Sequence, residues 1–234
     1  MAGFTTTMPA YRVTCPNNAN LYGTYTNLEE AKAFANSKVQ YGYVVYSGSG
    51  ELVYTPAPTL AASRILWYAK QTADYVRDNK YTYGDAKGNP YYNRAEKVVS
   101  CDRFVGFTLA NAGYLANQPA TRGTTLFGTY NNLGEGSLEN FCISHGFVKI
   151  TNISDVQAGD IVFVGYSTND MGLAAQYRHY PKHVFIAASG YAAGGGYTYR
   201  YDGGSNARLQ STQPSYEALS TPNNEFRFAY RATK

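Results

Sequence analysis

The chain has 234 residues, of which 44% are hydrophobic and 15% charged, with a formal net charge of +4. This composition argues against disorder and suits one medium core with a small additional module. The 24 Tyr, 23 Gly and 9 Pro favour a turn-rich α+β protein over a helical bundle. Because the positive charge is mild and forms no Lys/Arg run, we expect no nucleic-acid partner, whereas an anionic polymer is compatible with it.

Several functional classes are disfavoured by what the sequence lacks. No run approaches 18 consecutive apolar residues, so we expect no membrane insertion. The first residues lack the basic and apolar regions of a signal peptide, which predicts either that the protein is not exported by that route or that the signal has been removed. Three Cys and three His without metal-ligand spacing predict no metal site and no cofactor.

The first predicted module comprises residues 1–57 and ends at the Pro-rich segment Thr55–Pro58. Its pattern predicts a strand, a helix that begins at Asn27 with the capping-box residue Glu30, and a hairpin around Ser47–Gly50. This β-α-β-β order resembles the small sporulation-related repeat type of peptidoglycan-binding module. The alternative is an α/β appendage that only packs on the main domain.

The second predicted domain, residues 58–234, has its helices first and its strands later. Apolar spacing predicts a helix over residues 60–79, and a second helix is capped by Ser100 and closed by Gly113. Residues 115–140 are polar and poorly patterned. The predicted strands that follow are 147–150, 161–164, 183–188, 197–201 and 226–230. The expected fold class is therefore α+β.

Cys101 is the first candidate for chemistry. It follows the cap Ser100 and takes the first helical position, where free backbone N–H groups and the helix dipole favour an anion. We therefore expect a lowered thiol pKa and a nucleophile that works at neutral pH. The alternative is a small buried hydrophobic residue at a helix start.

His183 is the second candidate. It opens an apolar strand, so its imidazole is expected at the edge of the sheet, beside whichever helix packs there. The turn and strand Val156–Phe163 come before it and contain a Gly-Asp-Ile-Val-Phe sequence. The alternative is a structural histidine at a strand end.

The order of these motifs carries a family resemblance. A helix-capping Cys in Val99–Gly106, then Gly159–Phe163, then the His-Val-x-Ile of His183–Ile186 resemble the NlpC/P60 superfamily of papain-like cysteine peptidases. The superfamily contains cell-wall hydrolases of bacteria and phages and is related to amidases of the CHAP type. The resemblance covers about residues 60–205 and implies a papain-like core with helices packed on an antiparallel sheet.

The resemblance implies that Cys101 is the nucleophile and His183 the general base. A third residue on the next strand should orient the imidazole. Asp202 ends that strand and is the preferred candidate, and Asn206 is a weaker one. Asp202 fits equally well as a turn residue before the following Gly-Gly.

The sequence departs from the family next to the cysteine. The usual pattern has Asp before the Cys and Ser-Gly after it, whereas here Ser100 precedes and Asp102 and Arg103 follow. Asp102 would complement the start of the helix, and Arg103 would bind a substrate carboxylate. His179, close to His183 in sequence, would line the site.

The family also has a tyrosine near the oxyanion site, upstream of the cysteine. This chain offers Tyr81, Tyr83, Tyr91 and Tyr92 there. We prefer Tyr83 as the substrate-binding candidate.

The expected function is hydrolysis of an amide bond in peptidoglycan by a Cys–His mechanism, in a monomer that needs no cofactor. A phage lysin or an interbacterial amidase would fit. The protein would act on the cell wall, either after secretion or, if phage-encoded, from the cytoplasm at lysis. The alternatives are a transglutaminase-like or papain-like enzyme acting on protein, and a noncatalytic wall- or glycan-binding protein.

Overall fold

The computed structural model describes residues 10–84, 97–114, 138–165, 183–191, 197–204, 215–218, 220–221 and 224–234. Within these residues the protein is mixed α+β, with helices and largely antiparallel sheets, which confirms the predicted class at that level. His179, Tyr91, Tyr92 and Asn206 lie outside the described residues.

The first module is a four-stranded antiparallel sheet with one α-helix. Its elements are β1 (Tyr11–Thr14), β2 (Leu21–Tyr25), α1 (Leu28–Asn36), β3 (Val44–Ser47) and β4 (Leu52–Tyr54), in the sheet order β2-β1-β3-β4. As predicted, Asn27 caps α1, accepting a 2.7 Å hydrogen bond from the backbone N–H of Glu29. The predicted β-α-β-β order omits β2. This strand lies at the edge of the sheet and buries none of its residues completely, so it lacks the apolar alternation that marks a strand in sequence.

Three α-helices belong to the second part of the described chain. They are α2 (Leu60–Asp78), α3 (Cys101–Asn111) and α4 (Leu138–Ser144). The first two confirm the predictions, and α3 ends before Gly113 at φ +87°. A short parallel pair, β5 (Thr82–Tyr83) with β6 (Val98–Val99), leads directly into α3.

The main sheet contains seven strands. These are β7 (Val148–Ile150), β8 (Ile161–Gly165), β9 (His183–Ala187), β10 (Tyr197–Tyr201), β11 (Ser215–Ala218), β12 (Ser220–Thr221) and β13 (Asn224–Arg231). The order is β11-β10-β9-β8-β13-β12, with β7 also paired to β13, and every pairing is antiparallel. The central strands β8 and β9 are apolar along their length because both of their faces are covered.

Alternate residues of β9 belong to two different cores. Val184 and Ile186 pack in the larger core with α2 and α3, whereas Phe185 and Ala187 pack in a second core on the other face. Cys101 belongs to the larger core. The start of α3 therefore lies against the strand that His183 opens.

The first module is docked on α2. The Gly42 backbone, at φ +69°, lies so close to α2 that a Cβ there would come within 2.2 Å of the Ser63 carbonyl oxygen. The Tyr201 hydroxyl donates a 3.0 Å hydrogen bond to the backbone carbonyl of Gln40, which joins the main sheet to the module. A side chain at position 42 would therefore push the module away from the helix.

Candidate active site

Cys101 begins α3 and is only 6% exposed. The backbone of Val184, the residue after His183, and the backbone of Asp102 lie near its thiol and act to lower the thiol pKa. The sulfur is therefore close to the chain next to His183 along β9, since consecutive Cα atoms are about 3.8 Å apart. Within the described residues, no hydrogen bond joins the thiol directly to the imidazole, a contact that often shortens only when substrate binds.

His183 and Asp202 form a hydrogen-bonded pair. The Nε2 atom of the imidazole lies 2.8 Å from Oδ2 of Asp202. The pairing of Tyr201 with Ile186 carries the end of β10 toward the start of β9, so the two side chains meet across neighbouring strands. This is the geometry in which a carboxylate fixes the orientation of an imidazole.

The loop after Asp202 also brings α3 close to this pair. A Cβ on Gly203 would come within 2.4 Å of the Ser100 carbonyl oxygen and 3.0 Å of Cβ of Phe104. Only a glycine lets the end of β10 approach the first turn of α3 this closely. The Gly203 contact thus holds the first turn of α3, where Cys101 lies, against the end of β10 that leads into Asp202.

Asp202 is buried, and both of its carboxylate oxygens have partners. Its Oδ2 also lies 3.2 Å from Nε of Arg200, and its Oδ1 accepts a 3.1 Å hydrogen bond from the backbone N–H of Gly204. Burial by itself would raise the pKa of Asp202, but the His183 hydrogen bond, the Arg200 charge and the Gly204 N–H outweigh it and lower the pKa. The carboxylate is therefore ionised at neutral pH.

Arg200 is a functional candidate that the sequence did not reveal. It sits between two tyrosines on β10, where alternation is compatible with an exposed side chain, yet it is only 2% exposed. Its guanidinium lies 5.5 Å from the centre of the Phe185 ring. The signal available in sequence is its position two residues before Asp202, which puts both side chains on one face of the strand.

The expected low thiol pKa is wrong for this structure. Burial raises the pKa of Cys101 to about 12, and the charges of Asp102 and Asp202 act in the same direction. The backbone hydrogen bonds from Val184 and Asp102 favour the thiolate but do not offset the loss of water. At neutral pH Cys101 is a neutral thiol, so it needs a base at the moment of reaction.

Ser100 and Asp102 interact with each other. The Ser100 hydroxyl donates a 2.5 Å hydrogen bond to Oδ1 of Asp102 and does not cap the backbone of α3. Burial raises the pKa of Asp102, although this hydrogen bond and the charge of Arg103 partly offset it. Arg103 is only 5% exposed, and its buried Nη1 has no hydrogen-bond partner among the described residues. Because residues two apart on a helix do not share a face, binding of a substrate carboxylate by Arg103 stays a prediction.

Tyr83 lies on β5, which pairs with β6, the short strand directly before α3. Tyr83 is 47% exposed and pairs with Val99, two residues before Cys101. Tyr81 is 2% exposed and packs against Tyr75, with ring centres 5.8 Å apart. Of these two tyrosines, Tyr83 is the one accessible to a substrate, but its contact with the oxyanion stays a prediction.

The described residues contain neither a cluster of metal ligands nor a helix that could span a membrane. No group of three or more His, Cys, Asp or Glu side chains among them could hold a metal ion. In the same part of the chain, no helix has the length and apolar character needed to cross a membrane.

Comparisons with known proteins add no family. The sequence matches no family model and no curated protein, and the fold matches no solved structure. The NlpC/P60 resemblance therefore stays a prediction, based on the motifs around Cys101, Asp160 and His183.

Proposed function

We propose that the protein is a thiol-dependent amide hydrolase that acts on peptidoglycan and has a papain-like catalytic core. The observation that carries the proposal is the His183–Asp202 pair, at 2.8 Å, with His183 on a strand that packs against the helix begun by Cys101. A nucleophile, an imidazole and an orienting carboxylate are the three parts that this chemistry requires.

The ring contacts assign the two nitrogens of His183. Because Nε2 is hydrogen-bonded to Asp202, Nδ1 is the nitrogen available to accept the thiol proton. The proton moves to Nδ1 as the Cys101 sulfur attacks the carbonyl carbon of the scissile amide. Since the resting thiol is neutral, deprotonation accompanies the attack and does not precede it.

The remaining steps break the amide bond and return the proton from His183. The carbonyl oxygen becomes an oxyanion, and backbone N–H groups at the start of α3, including that of Cys101, would stabilise it. The C–N bond breaks as the imidazolium returns its proton to the leaving amine. Water then attacks the thioester with His183 as the base, releasing the carboxylic acid and restoring the thiol.

The substrate class rests on the resemblance and on the charges around the nucleophile. Stem peptides of peptidoglycan carry free carboxylates, and Arg103, two residues from Cys101, has a buried Nη1 with no hydrogen-bond partner among the described residues. We place the cleaved bond in the stem peptide or at the glycan–peptide junction. A lysin or amidase that reaches the wall by secretion or at lysis would perform this reaction.

The test compares wild type with Cys101→Ala on purified cell walls. We expect wild type to clear the suspension and Cys101→Ala to lose at least about 10³-fold in rate, because removal of a nucleophile abolishes the covalent route. Cys142→Ala is the matched control, since it removes a buried thiol outside the site. Equal clearing by wild type and Cys101→Ala would contradict the mechanism. Mass spectrometry of the released fragments identifies the bond.

One observation favours a second function. The thiol is buried and neutral, which also fits a noncatalytic wall-binding protein in which Cys101 only fills space. In that case wild type would bind walls without releasing any soluble fragment, and Cys101→Ala would bind equally well. Release of fragments that depends on the thiol decides for the hydrolase.

A further inference from the structure

A cleft of about 260 Å³ opens between the first module and the helices of the main domain. Its polar lining includes Asn17 from the turn after β1, Arg64 from α2 and Asn111 at the end of α3. Its aromatic lining is Trp67 and Tyr68, also from α2. The cleft therefore combines aromatic rings, amides and one cation.

The aromatic wall is held in place by the first module. The indole N–H of Trp67 donates a 3.2 Å hydrogen bond to the Tyr22 hydroxyl on β2. Trp67 also packs edge-on against Tyr68, with ring centres 4.8 Å apart. Because the indole donor is already used, Trp67 offers a ligand its ring surface.

The opposite wall is fixed in a similar way. The Tyr46 hydroxyl donates a 2.9 Å hydrogen bond to the Pro16 carbonyl oxygen, which anchors the turn. The side-chain oxygen of Asn17 accepts from the Cys15 thiol at 2.6 Å and from the Ala19 backbone N–H at 3.2 Å. The Asn17 amide nitrogen is thus the part left to donate to a ligand.

Arg64 differs from its basic neighbours on α2. Lys70 and Arg77 both form ion pairs with Asp74, at 2.5 and 2.8 Å. Arg64 is half-buried in the cleft, and none of the described residues forms an ion pair with it. A cation in this position favours a negatively charged group on whatever fills the cleft.

We propose that this cleft binds a sugar that carries an acidic group. The apolar face of the sugar ring would pack on Trp67 and Tyr68, and Asn17 and Asn111 would hydrogen-bond its hydroxyl or acetamido groups. The guanidinium of Arg64 would bind the acid, which is a carboxylate or a phosphate. This site goes beyond the proposed hydrolysis and does not require the thiol.

The position of the cleft suits the anchoring of a polymer. Asn111 is the last residue of the 11-residue helix that Cys101 begins, so the two sites lie at opposite ends of one rod about 16 Å long. A chain of sugars bound in the cleft would be held near the thiol without occupying it.

The test uses Trp67, the single tryptophan of the chain, as the reporter. Its fluorescence is followed while N-acetylmuramic acid, glucose 6-phosphate or N-acetylglucosamine is added. We expect a saturable change with at least one acidic sugar and binding at least about tenfold weaker for neutral N-acetylglucosamine, because the charge-assisted hydrogen bonds to Arg64 are lost. The two acidic sugars distinguish a carboxylate from a phosphate.

Variants locate the binding. Arg64→Gln should weaken acidic-sugar binding about tenfold or more, whereas Arg77→Gln, on the same helix outside the cleft, should bind as wild type does. Circular dichroism confirms that both variants fold. The Cys101→Ala protein should bind normally, so loss of hydrolysis and loss of sugar binding are separate results. No saturable signal, no preference for the acidic sugars, or unchanged binding by folded Arg64→Gln overturns the proposal.

Discussion

Two buried aspartates of the main sheet have similar partners and different surroundings. Asp160, just before β8, is fully buried and accepts two 2.8 Å hydrogen bonds from the guanidinium of Arg231. Its Oδ2 also accepts from the backbone N–H of Gln157 at 2.8 Å. Asp202, just after β10, shares one oxygen between His183 and Arg200. Each aspartate therefore has an arginine, but only Asp202 also has an imidazole.

The pKa directions of the two carboxyls are opposite. Burial raises the pKa of Asp160 even though Arg231 and the Gln157 N–H act against it. At Asp202, His183, Arg200 and the Gly204 N–H together outweigh burial, and the pKa is lowered. At Asp160 the arginine and the backbone N–H do not cancel the rise in pKa that burial causes. At Asp202 the arginine, the imidazole and the backbone N–H together do. We infer that Asp160 stabilises the fold and that Asp202 orients the imidazole of His183.

Substitution of Asp202 has the largest expected effect on activity and distinguishes this residue from Asp160. Asp202→Asn keeps the shape of the side chain but removes the charge that orients and stabilises the imidazolium. We expect kcat for wall hydrolysis to fall about 10²–10⁴-fold. The measurement is the initial rate of fragment release per folded molecule.

Asp160→Asn is the matched control. It leaves the Arg231 charge without its buried partner, so we expect the free energy of unfolding to fall by about 3–5 kcal/mol. Its rate per folded molecule, below the unfolding transition, should stay within a few-fold of wild type. If Asp160→Asn lost activity as Asp202→Asn does, the division between the two aspartates would be wrong.

The pH dependence of thiol modification gives the next largest effect. A thiol pKa raised to about 12 means that the thiolate fraction of Cys101 grows about tenfold for each pH unit across the neutral range. We expect alkylation of Cys101 by iodoacetamide to keep rising up to pH 9, measured by mass spectrometry of the peptide that contains Cys101. Cys15 and Cys142 are followed in the same samples.

An alkylation rate of Cys101 that stops rising below pH 7 would instead show a low thiol pKa. It would mean that Cys101 is already a thiolate paired with imidazolium, and that burial does not control the nucleophile. Asp202→Asn sharpens this result, because the Asp202 charge contributes to the raised pKa of Cys101. Alkylation of that variant should therefore be faster than that of wild type at the same pH.

The sequence predicted the elements whose signals are local. Asn27 caps α1 as predicted, and β10 has the predicted bounds Tyr197–Tyr201, whereas Ser100 precedes α3 without the predicted side-chain cap. The order of the motifs also selected His183 and Asp202, which the fold joins by a 2.8 Å hydrogen bond, and Cys101, whose helix packs against β9. Hydrogen-bonding caps and strand alternation depend on neighbouring residues, so they are visible before folding.

The features that sequence analysis missed depend on contacts between distant segments. The pKa of Cys101 was expected to follow the helix dipole, but packing of α3 against β9 removes water from the thiol and reverses the direction. Arg200 is polar in sequence and buried in the fold, where it approaches Asp202 and the Phe185 ring. Neither effect can be obtained from a local pattern.

The smallest expected effect tests Arg200 itself. It contacts Asp202 at 3.2 Å and would act through that carboxylate, so it is a positioning residue. Because the Arg200 charge lowers the pKa of Asp202, removing that charge in Arg200→Gln should raise the pKa of this carboxyl, so that it takes up a proton at a higher pH. We expect kcat/KM to fall about tenfold, as for the loss of one charge-assisted hydrogen bond. The acidic limb of its pH profile should move to higher pH.

Arg200→Lys is the conservative partner of that variant. It keeps a cation near Asp202 and should recover most of the activity and the original pH profile, although it loses the planar fork of the guanidinium. Arg231→Gln should lower the melting temperature and leave the profile of the folded protein where it was. If Arg200→Gln lowered only the melting temperature, then Arg200 would serve the same purpose as Arg231, and the contrast between the two aspartates would rest on His183 alone.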